Sequence, residues 1–250
     1  MSTTGEEGRP PVRVSFALAD IFTAYNAVSN ILAMYIRRQA TGEGGYIEVS
    51  LLDSMIFAMS YVPMMYLATG RIPRRYGSGH PSIVPYQAFK CRDGKYLIIA
   101  VGNERHWEGL CKALNRLDLL DDDRFKSNPD RVKHREVLIP ILESEFLKRD
   151  REDWMRILER FNVPYGPVYS LDEVFKDPYV EETKLVQNIG HDKIGELKIL
   201  SYPAYINGSR PEPSAPPPTL GKNAYEILRE AGYQEEEIIK LAEEKVICCI

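Results

Sequence analysis

The stretch Phe16–Ala27, FALADIFTAYNA, places one carboxylate, Asp20, between two apolar runs. Residues 12–18 have the pattern of a strand, and residues 21–39 carry apolar side chains at helical spacing. Asp20 is therefore expected where a strand gives way to a helix. It is either a cap for the helix N-terminus or a functional carboxylate at the edge where α/β sheets bind ligands. The local sequence leaves both interpretations open.

The residues that follow extend this unit. Glycines in the segment TGEGG, residues 41–45, predict the end of the helix. The segment YIEVSLLD, residues 46–53, alternates like a strand. Residues 55–68, interrupted by Pro63, predict a buried apolar helix or a connection. A strand-helix-strand-helix order favours an α/β unit with a parallel sheet.

Beyond residue 70 the pattern changes. A segment rich in glycine and proline, residues 69–85, predicts a crossover to a second domain. Residues 86–102 predict a hairpin with Asp93 and Gly94 at its turn. Asn103 and Asn128 are expected to cap helices, and Pro140 is expected to kink or divide the second of these.

The last part of the chain has four local signals. A helix is predicted over residues 150–161, and Ser170 with Glu173 forms a capping box. A hairpin is predicted around residues 190–195, followed by a proline-rich, extended connection over 208–221. Two helices, 224–230 and 235–244, are expected to close the chain.

The composition narrows the class of protein. Hydrophobic residues make up 44% and charged residues 27% of the 250 residues, as in soluble globular proteins. The net charge of −4 argues against a nucleic-acid binder. No apolar run approaches the roughly 18 residues of a membrane span, and the N-terminus does not have the pattern of a secretory signal. We expect a cytoplasmic protein with no nucleic-acid or membrane partner.

Neither cysteines nor histidines form a recognisable ligand pattern. The four cysteines, at 91, 111, 248 and 249, lack metal-ligand spacing, and the adjacent pair is not expected to form a disulfide. The four histidines are scattered along the chain. We therefore expect reduced thiols, no metal site and no bound cofactor.

Five segments, in order, resemble one family. They are residues 10–55 around FALADIFTAYNA, then PYQAFKCRDGKYLIIAVGNERHW (85–107), DDRFKSNPDRVKHREVL (122–138), FNVPYGPVYSLDEVFKDPYV (161–180) and PPTLGKNAYEILREAGY (217–233). Together they resemble the class III CoA-transferases, the CaiB/BaiF family, which includes formyl-CoA transferase and α-methylacyl-CoA racemase. On this resemblance Asp20 matches the catalytic aspartate.

The resemblance also implies a chemistry. Members of the family transfer CoA from an acyl-CoA thioester to a carboxylic acid through covalent aspartyl intermediates, so the implied substrates are a CoA thioester and an acid. The segment YGSGHP, residues 76–81, resembles the family's loop before the small domain, which makes Tyr76, Gly77, Gly79 and His80 candidates for substrate contacts. A plain turn is the alternative for this segment.

The implied fold is α/β, with part of a Rossmann-like large domain and a smaller α+β domain. The expected divisions are residues 1–70 of the large domain, a linker at 71–84, the small domain at 85–190, and a return segment with C-terminal helices at 191–250 that pack on the large domain. The Rossmann-like portion that precedes the aspartate in the family is expected from another chain or from further sequence. We also expect an interlocked homodimer, with exposed apolar surface over residues 55–68 in a single chain.

Three functions follow from the resemblance. The first is an acyl-CoA:carboxylate CoA-transferase with Asp20 as nucleophile. The second is a non-catalytic or split-gene subunit that keeps the family's small domain and dimer contacts. The third is a racemase-type isomerase acting on a 2-methylacyl-CoA.

Overall fold

The computed structural model describes residues 1–248, and the chain divides into two compact units, residues 1–168 and residues 169–250. The helices of the first unit are α1 (Leu18–Thr41), α2 (Leu51–Ala58), α3 (Tyr61–Thr69), α4 (Glu104–Leu114), α5 (Asp118–Asp121), α6 (Asn128–Lys133), α7 (Arg135–Phe146) and α8 (Arg151–Arg160). Its strands are β1 (Tyr86–Lys90), β2 (Tyr96–Ala100) and β3 (Tyr165–Val168). The second unit contains α9 (Leu171–Val174), α10 (Pro178–Glu182), β4 (Val186–His191), β5 (Gly195–Leu200), α11 (Ala224–Glu230) and α12 (Glu235–Glu243).

Helix α1 follows the predicted apolar spacing and ends where the glycines predicted. Gly42 has a φ of 80° and donates its backbone N–H to the carbonyl of Arg38 at 2.8 Å. This left-handed conformation is one that glycine adopts without steric cost.

The described residues combine helices with antiparallel strands, so the mixed α/β class expected from the sequence is confirmed.

The two strands expected near Asp20 do not form. Residues 12–17 have no regular structure before α1, and residues 46–50 are irregular before α2. Ser50 caps α2 instead, because its hydroxyl accepts the backbone N–H of Asp53 at 3.3 Å. A strand needs a neighbouring backbone to satisfy its N–H and C=O groups, and no described segment pairs with either stretch. The parallel sheet predicted for this region was therefore wrong for the described residues.

The hydrophobic core lies within the predicted small domain. Strands β1, β2 and β3 form an antiparallel sheet in that order, with Phe89 opposite Leu97 and Ile98 opposite Gly166. The predicted Asp93-Gly94 turn joins β1 to β2, and Gly94 has a φ of 80°. Helices α4, α7 and α8 cover one face of the sheet with these buried side chains: Trp107, Leu110, Leu138, Leu142, Phe146, Trp154 and Leu158.

Local capping signals were mostly predicted correctly. The side chain of Asn103 accepts the N–H of His106 at 2.9 Å, and Ser170 with Glu173 forms the expected capping box. Asn128 is not the cap of α6. Ser127 occupies that position, since its hydroxyl accepts the N–H of Asp130 at 3.3 Å. The Asn128 side chain instead accepts from the N–H of Val84 and donates to the carbonyl of Ser82, a long-range role that local sequence does not reveal.

Pro140 does not divide its helix. It lies inside α7, and the break between α6 and α7 falls at His134. In the second unit, β4 and β5 form the predicted hairpin, and α11 and α12 match the predicted final helices. Cys91, Cys111 and Cys248 are free thiols, whereas the expectation for Cys249 falls outside the described residues.

Much apolar surface is exposed on α1, α2 and α3. Phe57 is 80% exposed, Leu67 72% and Ile36 68%, and no residue of α1 or α3 is buried. The exposure predicted for residues 55–68 is confirmed. No single helix in residues 1–248 combines the length and apolar character needed to cross a membrane, although α2 and α3 pass that test as a pair bent by 84°.

Candidate active site

Asp20 lies in the first turn of α1, as its third residue, and its side chain is exposed. It is not the N-cap, because Ala17 occupies that position and makes no side-chain capping hydrogen bond. The capping interpretation is therefore wrong. A carboxylate in the first turn still interacts favourably with the helix dipole, by about 0.3–1 kcal/mol at an exposed site.

Two backbone N–H groups beside this carboxylate have no partner among the described residues. Leu18 donates its N–H to Phe16, and Ile21 donates to Ala17 at 3.0 Å in the first helical hydrogen bond. The N–H groups of Ala19 and Asp20 come between them and find no acceptor in residues 1–248. The start of α1 thus presents an exposed carboxylate with free N–H donors next to it.

The predicted substrate loop has a fixed backbone. Gly77 has a φ of 61° and donates its N–H to the carbonyl of Gly5 at 2.9 Å. Gly79 donates to the carbonyl of Tyr76 at 2.8 Å, and a Cβ added at Gly79 would lie 3.0 Å from that oxygen. The turn itself favours glycine at both positions, through the left-handed backbone of Gly77 and the tight space at Gly79, so the plain-turn interpretation is sufficient to explain them.

His80 lies between two aromatic side chains at the end of this loop. Its ring stacks on Tyr86 with centroids 5.6 Å apart, and it meets the ring of Tyr61 at 5.8 Å. The Nδ1 atom accepts the backbone N–H of Ser82 at 3.2 Å. Burial, together with the positive charge of Arg135, lowers the pKa of His80 below its ordinary value. These contacts favour the neutral imidazole.

Arg135 anchors the loop, and the sequence prediction missed it. Its Nη2 donates to the carbonyls of His80 at 3.1 Å and Pro81 at 2.9 Å, and its guanidinium lies 4.7 Å from the ring centre of Tyr76. Burial lowers its pKa. No local signal pointed to it, because the sequence predicted one helix from Asn128, and the break at His134 that puts Arg135 in the first turn of α7 is seen only in the structure.

A cavity of about 440 Å³ lies between α3 and the segment 71–81. Its lining includes three of the predicted loop residues, Tyr76, Gly77 and Gly79, but neither Asp20 nor His80. The volume falls in the range of small-molecule sites, about 300–1,000 Å³. The structure thus brings the loop residues together around one cavity and leaves Asp20 outside its lining.

The described residues show no cluster of three or more potential metal ligands. The buried cysteines are also unsuited to ligation or nucleophilic chemistry. Burial raises the pKa of Cys91 to about 11 and that of Cys111 to about 12, so both thiols stay protonated near neutral pH.

A family model described as CoA-transferase family III matches residues 1–224. The chain belongs to this family. In mouse (Mus musculus), succinyl-CoA:glutarate CoA-transferase is 35% identical over 248 residues, which is 99% of this chain and 56% of that protein. The succinate–glutarate CoA-transferase of Agrobacterium fabrum is 34% identical over 92% of this chain and 57% of its own length.

A solved structure supports the assignment to CoA-transferase family III. A CAIB/BAIF family protein from Brucella suis superposes with a TM-score of 0.75 and 33% sequence identity, over 92% of this chain and 59% of that one. The chain therefore spans a little more than half the length of the family members it matches. The resemblance seen in the sequence is confirmed at the level of the family.

Proposed function

We propose that this protein is an acyl-CoA:carboxylate CoA-transferase in which Asp20 is the nucleophile. The observation that carries the proposal is the exposed Asp20 carboxylate at the start of α1, beside two unpartnered N–H groups, in a chain of CoA-transferase family III. Ionised carboxylates form covalent acyl intermediates in enzymes.

The proposed reaction begins when an Asp20 carboxylate oxygen attacks the thioester carbonyl of the donor. The C–S bond breaks, which gives a mixed anhydride and CoA thiolate. The thiolate then attacks the Asp20 carbonyl and releases the donor acid as its carboxylate, which leaves an aspartyl-CoA thioester. The acceptor carboxylate attacks this thioester and expels CoA thiolate, and the thiolate attacks the acceptor carbonyl of the new anhydride. These last steps release the new acyl-CoA and restore Asp20.

Each attack passes through a tetrahedral oxyanion. The free N–H groups of Ala19 and Asp20 lie at the helix start, where donors and the helix dipole favour negative charge. One well-placed donor to such an oxyanion is worth roughly 3 kcal/mol in enzymes that use them. We assign these two groups to oxyanion stabilisation, and we assign Tyr76, Gly77, Gly79 and His80 to the loop that bounds the substrate.

A second candidate is a non-catalytic or split-gene subunit of such an enzyme. The exposed apolar surface of α1–α3 favours it. In that case a second copy or a partner chain covers these helices and completes the site. The two candidates differ in whether Asp20 becomes acylated in this chain. The isomerase alternative lacks comparable support, because the relatives named above are CoA-transferases.

A transfer assay tests the proposal. The purified chain is incubated with succinyl-CoA and glutarate, the substrates in the mouse relative's name, and glutaryl-CoA is measured by mass spectrometry. We expect glutaryl-CoA from the wild-type chain and none above background from Asp20→Asn. Asp53→Asn is the matched control, since Asp53 lies in the first turn of α2. Equal activity of wild type and Asp20→Asn would overturn the assignment of Asp20.

A further inference from the structure

Helix α1 exposes an apolar face along its whole length. The face is formed by seven large side chains, each between 46% and 68% exposed: Ile21, Tyr25, Val28, Ile31, Leu32, Tyr35 and Ile36. They recur at intervals of one to four residues, which puts them on one side of the helix. A continuous apolar face of this extent marks a surface that another structure covers.

The charged residues of α1 lie only near its two ends. Asp20 is in the first turn, and Arg37 and Arg38 are near the C-terminus. Asp20 and Arg38 are eighteen positions apart, which is five helical turns, so both border the same edge of the apolar face, about 27 Å from each other. Arg37 points to another side of the helix and pairs with Glu43 at 3.1 Å. Neither the Asp20 carboxylate nor the Arg38 guanidinium has a hydrogen bond or ion pair within residues 1–248.

We propose that α1 pairs in antiparallel orientation with α1 of a second copy of this chain, so that the partner subunit's Arg38 lies beside Asp20. In an antiparallel pair, residues on the same edge of the two apolar faces meet each other across the interface. A two-fold axis makes every contact occur twice, so one pair of helices forms two ion pairs. The surface of α1 is therefore complementary to itself.

The register of the helix pair follows from the two charges. The midpoint between Asp20 and Arg38 is Ser29, which lies at the centre of α1. A two-fold axis at the level of Ser29 overlaps the two helices over their full length of about 36 Å. It also places Tyr25 near the partner's Leu32, so the two apolar faces cover each other.

A parallel pair is the alternative orientation. It would bring the two Asp20 carboxylates together at one end and the two Arg38 guanidinium groups together at the other. Like charges that face each other across an interface are unfavourable. The antiparallel pair replaces both repulsions by attractions and also sets the two helix dipoles in opposite directions.

The helix pair gives Asp20 a charged donor that its own chain does not supply. This part of the inference rests on the proposed CoA-transferase function, in which each attack at Asp20 forms a tetrahedral oxyanion. The partner subunit's Arg38 would donate charge-assisted hydrogen bonds to that oxyanion, beside the free N–H groups of Ala19 and Asp20. Each site would then contain residues from both copies.

Analytical ultracentrifugation of the full 250-residue chain measures the dimer Kd without relying on transfer activity. We expect Arg38→Asp and Asp20→Arg each to raise this Kd by about tenfold or more, because two attractions become two repulsions. The double variant Asp20→Arg with Arg38→Asp should return to within about threefold of wild type. Arg37→Asp is the matched control and should keep the wild-type Kd, and circular dichroism establishes that each variant is folded.

Several outcomes of this measurement would overturn the proposed helix pair. One is a wild-type chain that stays monomeric. Another is a Kd that Arg38→Asp leaves unchanged or that Arg37→Asp raises equally. A double variant that associates no more tightly than the single variants would also show that the two charges do not meet across the interface.

Mixing two variants of low activity tests whether Arg38 acts on the other copy. Removing one oxyanion donor lowers kcat by about a hundredfold in enzymes that use them, so Arg38→Gln alone should transfer CoA weakly, and Asp20→Asn not at all. In an equal mixture above the dimer Kd, half of the dimers are mixed, and each has one site with both native residues. We expect about a quarter of the wild-type transfer activity.

The mixture separates this inference from the proposed function. A mixture no more active than Arg38→Gln alone, when the wild-type chain transfers CoA, would overturn the role of the partner subunit's Arg38. Charge-dependent dimers of a wild-type chain that transfers no CoA would instead contradict the proposed function and leave the helix pair supported.

Discussion

At the residue scale, burial decides the reactivity of the cysteines. Cys91 and Cys111 lie in the core of the first unit, and burial is the largest cause of their raised pKa values, about 11 and about 12. We expect both thiols to resist alkylation at pH 8 in the native chain and to react once it is unfolded, as measured by peptide mass spectrometry. The exposed thiol of Cys248 is the internal control and should react at once. Fast alkylation of Cys111 in the native chain would show that its thiol is not buried in the core as described.

His80 gives a second test at this scale. Its pKa is lowered, first by burial and then by Arg135, so an NMR titration should place it below 6.5. Arg135→Met should raise this pKa only in part, because burial persists. As the pH falls through this range the unfolded chain takes up a proton before the folded one, so the free energy of unfolding should decrease slightly. A His80 pKa at or above 6.5, or a pKa that does not change in Arg135→Met, would show that His80 is not buried beside Arg135 as described.

The local structure at the candidate site was predicted where the signal was local. The helix that starts beside Asp20 was predicted from apolar spacing, whereas the catalytic role of Asp20 comes from the family resemblance and stays a prediction. Arg135 was missed because its hydrogen bonds reach back to residues 80 and 81, across more than fifty positions.

At the scale of elements, α4 closely approaches the segment after α8. This contact predicts that an alanine in α4 lowers the free energy of unfolding, although helix propensity alone would raise it. A Cβ at Gly109 would lie 2.6 Å from the backbone oxygen of Phe161. Helix propensity alone would make Gly109→Ala more stable by about 1 kcal/mol. The clash should outweigh that gain, so we expect net destabilisation of about 1–2 kcal/mol in urea unfolding.

Gly102→Ala is the control for that variant, because a Cβ at Gly102 meets nothing within 4 Å. Its free energy of unfolding should stay within about 0.5 kcal/mol of wild type. A Gly109→Ala chain more stable than wild type would show that α4 and residue 161 are not in this close contact.

Arg131 ties α6 to three other parts of the first unit. Its fully buried side chain donates to the carbonyls of Val84 at 2.8 Å and Phe125 at 3.0 Å, and forms two hydrogen bonds with Glu104. Removing a donor that buried groups depend on costs about 1–3 kcal/mol for each group left unsatisfied. We expect Arg131→Met to lower the free energy of unfolding by about 3 kcal/mol in urea.

Lys133→Met, an exposed change on the same helix, serves as the comparison for Arg131→Met. It should alter the free energy of unfolding by no more than about 0.5 kcal/mol. Similar free energies of unfolding for the two variants would show that the hydrogen bonds of Arg131 contribute little to the stability of the fold.

Elements with local signals were predicted well, and those that need distant partners were not. The Asp93-Gly94 hairpin, the Asn103 cap and the capping box at Ser170 depend on residues a few positions apart. The strands expected at 12–18 and 46–53 depend on pairing with another strand, which the described residues do not supply. A strand-like pattern therefore predicts only a tendency to form a strand, and the strand forms when a neighbouring strand is available to pair with it.

At the scale of the whole molecule, the exposed apolar side chains of α1 predict association. Leu32 and Ile36 lie one helical turn apart, and each is more than half exposed. Apolar surface of this extent marks an interaction site in soluble proteins. We expect the wild-type chain to self-associate in sedimentation velocity, and the double variant Leu32→Lys with Ile36→Lys to do so less.

Leu220→Lys provides the control for association, because Leu220 is an exposed apolar residue outside the helices. It should associate like the wild type. A wild-type chain that stays monomeric at high concentration would show that this surface is not an interface in solution.

The measurement that tests the central claim most directly is the mass of the peptide containing Asp20 after incubation with succinyl-CoA and hydroxylamine. Hydroxylamine converts an acylated carboxylate into a hydroxamate, so an aspartyl anhydride or aspartyl-CoA thioester leaves a stable mark. The account predicts a hydroxamate on Asp20 that depends on succinyl-CoA and is absent from Asp20→Asn. An unmodified Asp20 in a chain that transfers CoA, or a hydroxamate on another carboxylate, would contradict it.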